Sequence, residues 1–283
     1  MTLDLPPAWG ELIASLAAAP WRRLAVLGGT DVGKSSFCRL LCRHLASQGQ
    51  RVELLDTDLG QKMIGPPACV SLARYTPDQS LELERIRFVG EVSPAANIAA
   101  VIAATSRLAS ATATDRLVVN TSGLVTGPGV ALKRWKLDAL DPEHVVAIAR
   151  GHELAPVLAP LPHERVYRLH PSAAALRKSP ALRESNRRAG LLTSLGDCRP
   201  VQLPGLVVED LQRSPPPSDV LRLCGLADAR GEDHVLGIVR WSDYLDRHEI
   251  WTGTNAFTPR RLRLGMNLPD FAKVPGPFQF DQA

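Results

Sequence analysis

The sequence has few cysteines and no pattern that would use them as ligands or crosslinks. Its five cysteines are odd in number and include no Cys-x-x-Cys pair, so neither a disulfide framework nor a zinc site is predicted. Cys38 and Cys42 lie one helical turn apart, which is typical of core positions.

Long apolar runs are also absent. No stretch approaches the roughly 20 apolar residues that a membrane-spanning helix needs, and the first residues lack the basic start and apolar run of a signal peptide. We therefore expect a soluble, cytoplasmic protein. The segment "AWGELIASLAAA", residues 8–19, predicts an amphipathic helix. Because it has almost no basic residues, we expect it to pack on the main domain and not on a membrane.

The chain has little excess charge of either sign. Its 33 Lys and Arg against 29 Asp and Glu give a net charge of +4, so any nucleic-acid partner would have to bind a local basic patch. A chain of 283 residues that is 45% hydrophobic can bury a substantial core. The length fits one large domain, or one large and one small domain.

The sequence does contain a regular alternation of strand and helix patterns. "RRLAVLGG" predicts a buried strand, "KSSFCRLLCRHLASQG" a helix and "RVELLDTD" a second strand. This order is a βαβ unit, which implies parallel strands with helices on the faces of the sheet. The alternation continues with strands at "RIRFVG", "DRLVVNTSG", "EHVVAIAR" and "ERVYRLHP", and with helices at "AANIAAVIAATSRLASA" and "PGVALKRWKLDAL".

The composition changes at residues 199–219, where Pro215–Pro217 predict a stiff, extended segment. Beyond it, four short β-rich runs separated by turn residues predict a small antiparallel appendage, and residues 274–283 an irregular tail. We therefore predict a main domain over 1–205 and a small β-rich C-terminal domain over 218–283. The runs are "VLRLCGLAD", "HVLGIVRW", "HEIWTGT" and "PRRLRLG".

A glycine-rich loop lies between the first strand and the first helix of the βαβ unit. Residues 28–35 match G-x-x-x-x-G-K-[ST] in full, the pattern of a phosphate-binding loop, or P-loop. Lys34 would reach the β and γ oxygens of ATP, and Ser35 would ligate Mg²⁺. The fold class predicted is α/β, a P-loop NTPase with a mainly parallel sheet. The predicted ATP-binding residues are Gly28, Gly29, Thr30, Asp31, Val32, Gly33, Lys34, Ser35 and Ser36.

Two aspartates follow the second strand, at the same edge of the sheet as this loop. Asp56 and Asp58 are two residues apart, so both would face one side if the strand continued that far. One could hold Mg²⁺, and the other could orient or deprotonate an attacking hydroxyl. The alternative is a pair of strand-end acids without a chemical role. Residues 120–122, at another strand end, could orient the γ-phosphate or a water.

The combination of "GGTDVGKSS", "DTDLGQ", "VGEVSPAAN" and "LVVNTSGLVTGPG" resembles the P-loop polynucleotide 5'-hydroxyl kinase family. Members of that family act in tRNA splicing, mRNA 3'-end formation and ribosomal RNA processing. The resemblance extends from about residue 9 to about residue 268. It implies an enzyme that uses ATP and Mg²⁺ to phosphorylate the 5'-hydroxyl end of RNA or DNA.

Carried onto this chain, the resemblance implies that Lys34 serves ATP and that Asp58 activates the 5'-hydroxyl. Asp56 is then a metal-side group, and Gln61 a neighbour of the substrate phosphate or the metal. The segment Gly90–Asn97 matches a clasp around the polynucleotide end, with Ser93, Pro94 and Asn97 as its substrate-side residues. The alternative is an ordinary strand-to-helix turn with Pro94 in the first turn of the helix.

The segment near 172–196, with "RKSPALRESNRRAG", resembles the family's arginine-bearing lid. Phosphoryl transfer needs cations over the γ-phosphate as its charge redistributes. Arg183 and Arg187 are four residues apart and share a helix face, so they are the predicted catalytic pair. The alternative is a solvated basic helix face.

One position departs from the family pattern. Well-studied relatives carry a tryptophan that stacks on a substrate base where this chain has Leu124. Leucine offers apolar contact without an aromatic face, and such stacking is worth roughly 1–3 kcal/mol. Trp135, Trp241 or Trp251 could compensate for it, but we expect each of them to be a core or domain-interface residue.

Leu124 favours a second hypothesis, an ATP-binding scaffold of an RNA-processing assembly with little or no transfer activity. Asp58 and the lid arginines argue against it. A P-loop GTPase would need a guanine-reading N/T-K-x-D element after a late strand, and none is evident. A kinase of a small hydroxylated metabolite differs from the leading hypothesis only in its acceptor. The sequence does not identify a protein partner.

Overall fold

The structure is a computed structural model of the chain, and it describes residues 5–76, 78, 80–196, 198–211, 220–241, 249–253 and 257–268. Pro215–Pro217 and the predicted tail lie outside these ranges. The helices are α1 (Pro7–Ala18), α2 (Lys34–Ser47), α3 (Ile98–Ser110), α4 (Pro128–Leu140), α5 (Ala155–Leu158) and α6 (Pro180–Leu195). The strands are β1 (Arg23–Gly28), β2 (Val52–Asp56), β3 (Cys69–Tyr75), β4 (Leu81–Phe88), β5 (Arg116–Asn120), β6 (His144–Ile148), β7 (Val166–Leu169), β8 (Arg199–Val201), β9 (Val207–Asp210), β10 (Val220–Ala227), β11 (Asp233–Trp241), β12 (Glu249–Thr252) and β13 (Arg261–Asn267).

Five parallel strands form one part of the sheet, in the order β7-β6-β1-β5-β2. This confirms the parallel arrangement predicted from the alternation of strands and helices. β5 lies between β1 and β2, and its last residue, Asn120, is in register with Val26 and Asp56. Asn120 therefore lies between the glycine-rich loop that follows β1 and the aspartates at the end of β2.

An antiparallel hairpin, β3 and β4, extends the sheet beyond β2. The sequence prediction covered only the second half of β4 and missed β3. Residues 82–85 of β4 are exposed, yet Leu81 and Leu83 alternate with two glutamates, a strand signal that the prediction did not use. The hairpin places Gly90 and the predicted clasp next to the C-terminal strands, because Met266 N donates to Gly90 O at 2.8 Å.

The C-terminal strands continue the same sheet. β11 meets β4 through a single register pair, Asp233 with Ile86, and β10, β13, β12 and β8 pair antiparallel around it. The predicted β-rich character of this part is confirmed. β8 and β9 lie inside the segment 199–219 and pair with β12 and β13. The division of the chain into two domains stays a prediction.

Helices cover both faces of the parallel strands. One core cluster lies under α3, α4 and α5, and the other lies under α1 and α2. α1 packs on the main domain as predicted: Trp9 is 1% exposed, and its ring meets Phe37 of α2 edge-on at 5.5 Å. Its Nε1 donates to His170 O at 2.9 Å. No helix in the described ranges is long and apolar enough to cross a membrane.

Candidate active site

The glycine-rich loop connects β1 to α2, and close packing requires its glycines. A Cβ on Gly28 would lie 2.5 Å from Ile148 O. Gly33, which precedes α2, has a φ of 95°, and a Cβ there would lie 2.7 Å from the Trp9 ring. Both positions therefore require glycine, one for space and the other for space and backbone conformation.

Lys34, the first residue of α2, is 6% exposed. Its Nζ donates to Gly29 O at 2.5 Å, so the side chain lies against the loop. Burial lowers the pKa of Lys34, and the charge of Asp58 opposes that shift. The predicted phosphate-binding lysine and the predicted base therefore interact electrostatically across the site.

The loop after β5 packs directly on the P-loop. A Cβ on Gly123 would lie 2.8 Å from Thr30 Cα and 2.8 Å from Thr30 N. Thr121 Oγ1 donates to Val26 O at 2.7 Å, and Thr121 and Ser122 are buried. The two loops therefore form one wall of the site.

Asn120 connects this wall to the aspartates. Its Nδ2 donates to Ser35 Oγ at 3.4 Å and to Asp56 Oδ1 at 3.0 Å. Ser35 and Asp56, the two predicted metal-side residues, thus both accept from the same side-chain nitrogen. Among the described residues, no group of three or more His, Cys, Asp or Glu could hold a metal.

Asp56 is completely buried and has hydrogen-bond donors at both oxygens. Besides Asn120, the amide of Asp58 donates to its Oδ1 at 3.2 Å, and the amide of Met63 to its Oδ2 at 2.7 Å. Lys62, whose side chain is 7% exposed, forms a salt bridge to Oδ2 at 3.2 Å. This carboxylate therefore organises the turn that follows β2.

Asp58 differs from Asp56 in both placement and hydrogen bonding. β2 ends at Asp56, so the strand does not continue and the expected shared face does not form. Asp58 is half-buried in the turn beyond the strand. Its Oδ1 accepts from the amides of Gly60 at 3.0 Å and Gln61 at 3.1 Å, whereas none of the described residues donates to Oδ2. Asp58 presents one fixed and one accessible acceptor oxygen.

Two further lysines next to this turn were missed by sequence reasoning. Lys133 and Lys136 of α4 are 0% and 1% exposed. Lys133 Nζ donates to Ser122 O, and Lys136 Nζ donates to Thr57 Oγ1 at 2.7 Å. Burial lowers the pKa of Lys133 well below its usual range and that of Lys136 to about 7, while Asp58 opposes both shifts. Their one sequence signal is a position beside Leu132 and Leu137 on the buried face of α4.

The predicted lid contains α6, which lies against both the P-loop and the aspartate turn that follows β2. Arg183 pairs with Asp31 of the P-loop, and its carbonyl accepts from Gln61 Nε2 at 3.0 Å. Arg187 pairs with Glu184, and its Cδ would lie 3.5 Å from a Cβ on Gly60. The structure thus brings Arg183, Arg187 and Gln61 together at the edge of the site.

The predicted clasp residues occupy a turn before α3. Ser93 is exposed and Pro94 is buried, and the turn closes through Ala96 N donating to Ser93 O at 3.2 Å. Pro94 precedes the helix instead of lying in its first turn. Asn97 is the N-cap of α3, accepting from Ala100 N at 3.1 Å. The side-chain carbonyl of Asn97 is therefore used in capping, and its substrate role stays a prediction.

Leu124 is partly buried and packs on the core cluster beneath α3 and α4. A Cβ on Gly129 would lie 2.6 Å from Leu124 O, so this loop also fits closely on the start of α4. Trp135 is 54% exposed, and Trp251 is buried at 7% exposure. Of these two described side chains, that of Trp251 occupies the expected core position and that of Trp135 does not. The side chain of Trp241 lies outside the described part.

Comparisons with known proteins bear on the same region. The family model described as mRNA cleavage and polyadenylation factor CLP1 P-loop matches residues 28–193, more than half of the chain. That range includes the P-loop, the aspartate turn, the predicted clasp and most of α6.

Two curated relatives illustrate the similarity. The polyribonucleotide 5'-hydroxyl-kinase of Pyrococcus horikoshii is 34% identical over 140 residues, which cover 47% of this chain and 38% of that protein. The polynucleotide 5'-hydroxyl-kinase NOL9 of Homo sapiens is 34% identical over 137 residues, covering 46% of this chain and 20% of NOL9. The matched part is thus less than half of each relative.

Among solved structures, a chain of the Clp1p–Pcf11p complex has a similar fold. The TM-score is 0.67 at 11% sequence identity, over 90% of this chain and 78% of that chain. This likeness covers more of the chain than the family model does. Because the family model covers the P-loop and every motif loop around it, the chain belongs to the CLP1 P-loop family.

Proposed function

We propose that this protein is an ATP-dependent polynucleotide 5'-hydroxyl kinase that transfers the γ-phosphate of ATP to the 5'-hydroxyl of RNA or DNA. The observation that carries the proposal is Asp58, which has one oxygen fixed by two amides and the other without a donor among the described residues. A carboxylate with an accessible oxygen next to a P-loop is suited to accept a proton from an attacking hydroxyl. A nucleotide-hydrolysing switch could use the same carboxylate on a water molecule, so the choice of a 5'-hydroxyl acceptor is supported by the kinase relatives.

In the proposed reaction, Lys34 and the amides of the P-loop bind the β and γ phosphates of ATP. Asp58 accepts the proton of the 5'-hydroxyl, the 5'-oxygen forms a bond to the γ phosphorus, and the bond to the bridging oxygen breaks to release ADP. Arg183 and Arg187 stabilise the charge on the transferring group. Lys133 and Lys136 contact Ser122 and Thr57 beside the site, and because burial lowers the pKa of both, they contribute little positive charge near neutral pH.

Mg²⁺, when bound with ATP, supplies charge neutralisation at the β and γ oxygens. The hard oxygen ligands of Ser35 and Asp56 suit this ion. Ser35 and Asp56 would hold this ion beside the P-loop, and Asn120 donates to both side chains.

The test is transfer of label from γ-labelled ATP to matched 5'-hydroxyl RNA and DNA oligonucleotides. We expect labelling by the wild type and a loss of at least about 100-fold in Asp58→Asn, the scale of a removed general base. Asp138→Asn, which changes an exposed acid on α4, is the matched control and should retain activity.

The scaffold hypothesis gives a different result in the same assay. Leu124 favours it, since this side chain cannot stack on a base as a tryptophan would. A scaffold would bind ATP and transfer no label to RNA, DNA or small hydroxylated acceptors. Intact ATP binding without transfer across metals and pH would overturn the kinase proposal.

A further inference from the structure

Asp31, in the middle of the P-loop, is bound to the lid through its side chain. Its Oδ2 accepts from the amide of Lys178 at 2.9 Å and pairs with the guanidinium of Arg183. Burial disfavours ionisation of this carboxyl, but the Lys178 amide and Arg183 outweigh it and lower the pKa of Asp31. The carboxylate is therefore held in its charged form by two groups of the lid.

The aspartate turn after β2 binds the same part of the lid through Gln61. Gln61 Nε2 donates to Arg183 O at 3.0 Å, and Asn186 Nδ2 donates to Gln61 Oε1 at 3.4 Å. Arg183 is thus fixed at its side chain by the P-loop and at its backbone by the aspartate turn. Arg183 is therefore held beside both the P-loop and the aspartate turn.

The guanidinium of Arg183 retains donor capacity after pairing with Asp31. Its side chain is 25% exposed, and its Nε is buried without a hydrogen-bond partner among the described residues. A guanidinium has five N–H donors in a fixed fork, so an oriented fork can bind one carboxylate and an additional anionic oxygen together.

Loop geometry alone does not require a carboxylate at position 31. Asp31 has a φ of 56°, a conformation that asparagine adopts about as well as aspartate. Its main-chain carbonyl accepts from Arg150 at 3.2 Å, a contact that any residue would keep. The hydrogen bond and the ion pair of the carboxylate, by contrast, go to lid groups among the described residues, while its charge also favours the protonated form of Lys34 and so opposes the lowering of the Lys34 pKa. The substitution Asp31→Asn therefore removes the charge while it preserves the loop conformation.

We propose that Asp31 is a positioning residue that docks the lid on the P-loop and orients Arg183 toward the transferring phosphate. The effect of Asp31 on phosphoryl transfer rests on the proposed kinase function. The docking of the lid rests only on the contacts that the lid makes with the P-loop and the aspartate turn. Asp31 itself does not touch the reacting atoms.

The kinetic test is a double-mutant cycle of Asp31→Asn and Arg183→Gln in the labelling assay. Asp31→Asn should lower kcat by about 10-fold while the KM for ATP changes less than about 3-fold, since orientation acts in the transition state. In the Arg183→Gln background, Asp31→Asn should cause no further loss, because coupled residues are not additive. Equal losses in both backgrounds would overturn the proposal.

A second readout needs no kinase activity. Limited trypsin cleavage after Arg177 and Lys178 requires local opening of the docked segment, and mass spectrometry of the intact protein without nucleotide gives its rate. We expect Asp31→Asn and Arg183→Gln each to accelerate this cleavage about 3- to 10-fold, and the double variant to add nothing.

Asp141→Asn is the matched control for both readouts. Asp141 also has a positive φ, of 39°, and pairs with Arg165 at 3.1 Å, far from the lid in sequence and contacts. It should behave as the wild type. Cleavage of Asp31→Asn at the wild-type rate would refute the docking. A wild type that transfers no phosphate while its lid cleavage responds to Asp31→Asn would refute the kinase function and leave the docking intact.

Discussion

Lys136 Nζ donates to Thr57 Oγ1 at 2.7 Å, and Thr57 is the residue between the two aspartates of the turn after β2. Thr57 Oγ1 in turn donates to Asn120 O at 2.8 Å. The buried Lys136 amine therefore contacts the turn directly. The free-energy cost of burying Lys136 depends on pH.

Lys136→Met should change how stability depends on pH. The folded-state pKa is about 7, and that of an unfolded lysine is about 10.4. Between these values the unfolded chain binds more protons, so the free energy of unfolding rises with pH, by up to about 1.4 kcal/mol per unit from this group. The variant lacks this term, so the wild type should gain stability relative to it from pH 7 to 9.

Urea denaturation at several pH values measures this difference. Lys178→Met, which replaces an exposed lysine, is the control. If the stability difference between wild type and Lys136→Met were constant across the range, the buried, partly neutral Lys136 would be contradicted.

Gly28→Ala and Gly29→Ala should differ although the residues are adjacent. A Cβ on Gly28 would lie 2.5 Å from Ile148 O and 2.6 Å from Val32 Cγ2, whereas a Cβ on Gly29 would meet nothing within 4 Å. Overpacking of this kind costs about 1–3 kcal/mol. We expect that loss for Gly28→Ala and a change within about 0.5 kcal/mol for Gly29→Ala, both measured by urea denaturation. Equal stabilities would contradict the packing at β1.

Asp56→Ala should destabilise the fold as well as impair any activity. Lys62 would keep a buried charge without its partner, and breaking a buried pair in this way costs about 3–5 kcal/mol. Asp56→Ala combined with Lys62→Met should recover part of that loss, since both charges are then removed. Asp138→Ala, at an exposed site on α4, serves as the comparison. If Asp56→Ala lowered the free energy of unfolding by less than about 1 kcal/mol, the stabilising role of the Asp56–Lys62 pair would be ruled out.

Leu124→Trp tests the predicted acceptor side. If the loop after β5 meets a substrate base, a new indole should tighten binding of a 5'-hydroxyl oligonucleotide by roughly 1–3 kcal/mol. Fluorescence anisotropy of labelled RNA and DNA measures the change. Val207→Trp, which adds an indole at an exposed site on β9, controls for nonspecific stacking. The same gain in both variants would remove Leu124 from the acceptor site.

The P-loop and the parallel strands were predictable because their signals are local. Apolar runs such as that of β1, followed by a complete glycine motif and a periodic helix, specify each element within a short window. The order of those elements then determines which strand ends meet. Asp56, Asp58 and Asn120 were placed at one edge on that basis alone.

Other features depended on contacts that no short window contains. Lys133 and Lys136 are charged, and charged residues are seldom fully buried unless paired, so their place on the inner face of α4 gave no clear signal. The different environments of Asp56 and Asp58 were also not predictable from the sequence. They arise because β2 ends at Asp56, whose carboxylate binds Lys62 and the amide of Met63, whereas Asp58 lies in the turn that follows.

The position of β5 between β1 and β2 has a mechanical consequence. The P-loop and the aspartate turn follow one another in sequence, yet their strands never touch, and the Asn120 carboxamide spans the gap by donating to Ser35 and Asp56. A rigid-body shift of the nucleotide side relative to the acceptor side would change these two hydrogen bonds together with the pairing of β5 to β1 and β2. The NMR resonance of the Asn120 side-chain amide would therefore report on displacements of both the P-loop and the aspartate turn.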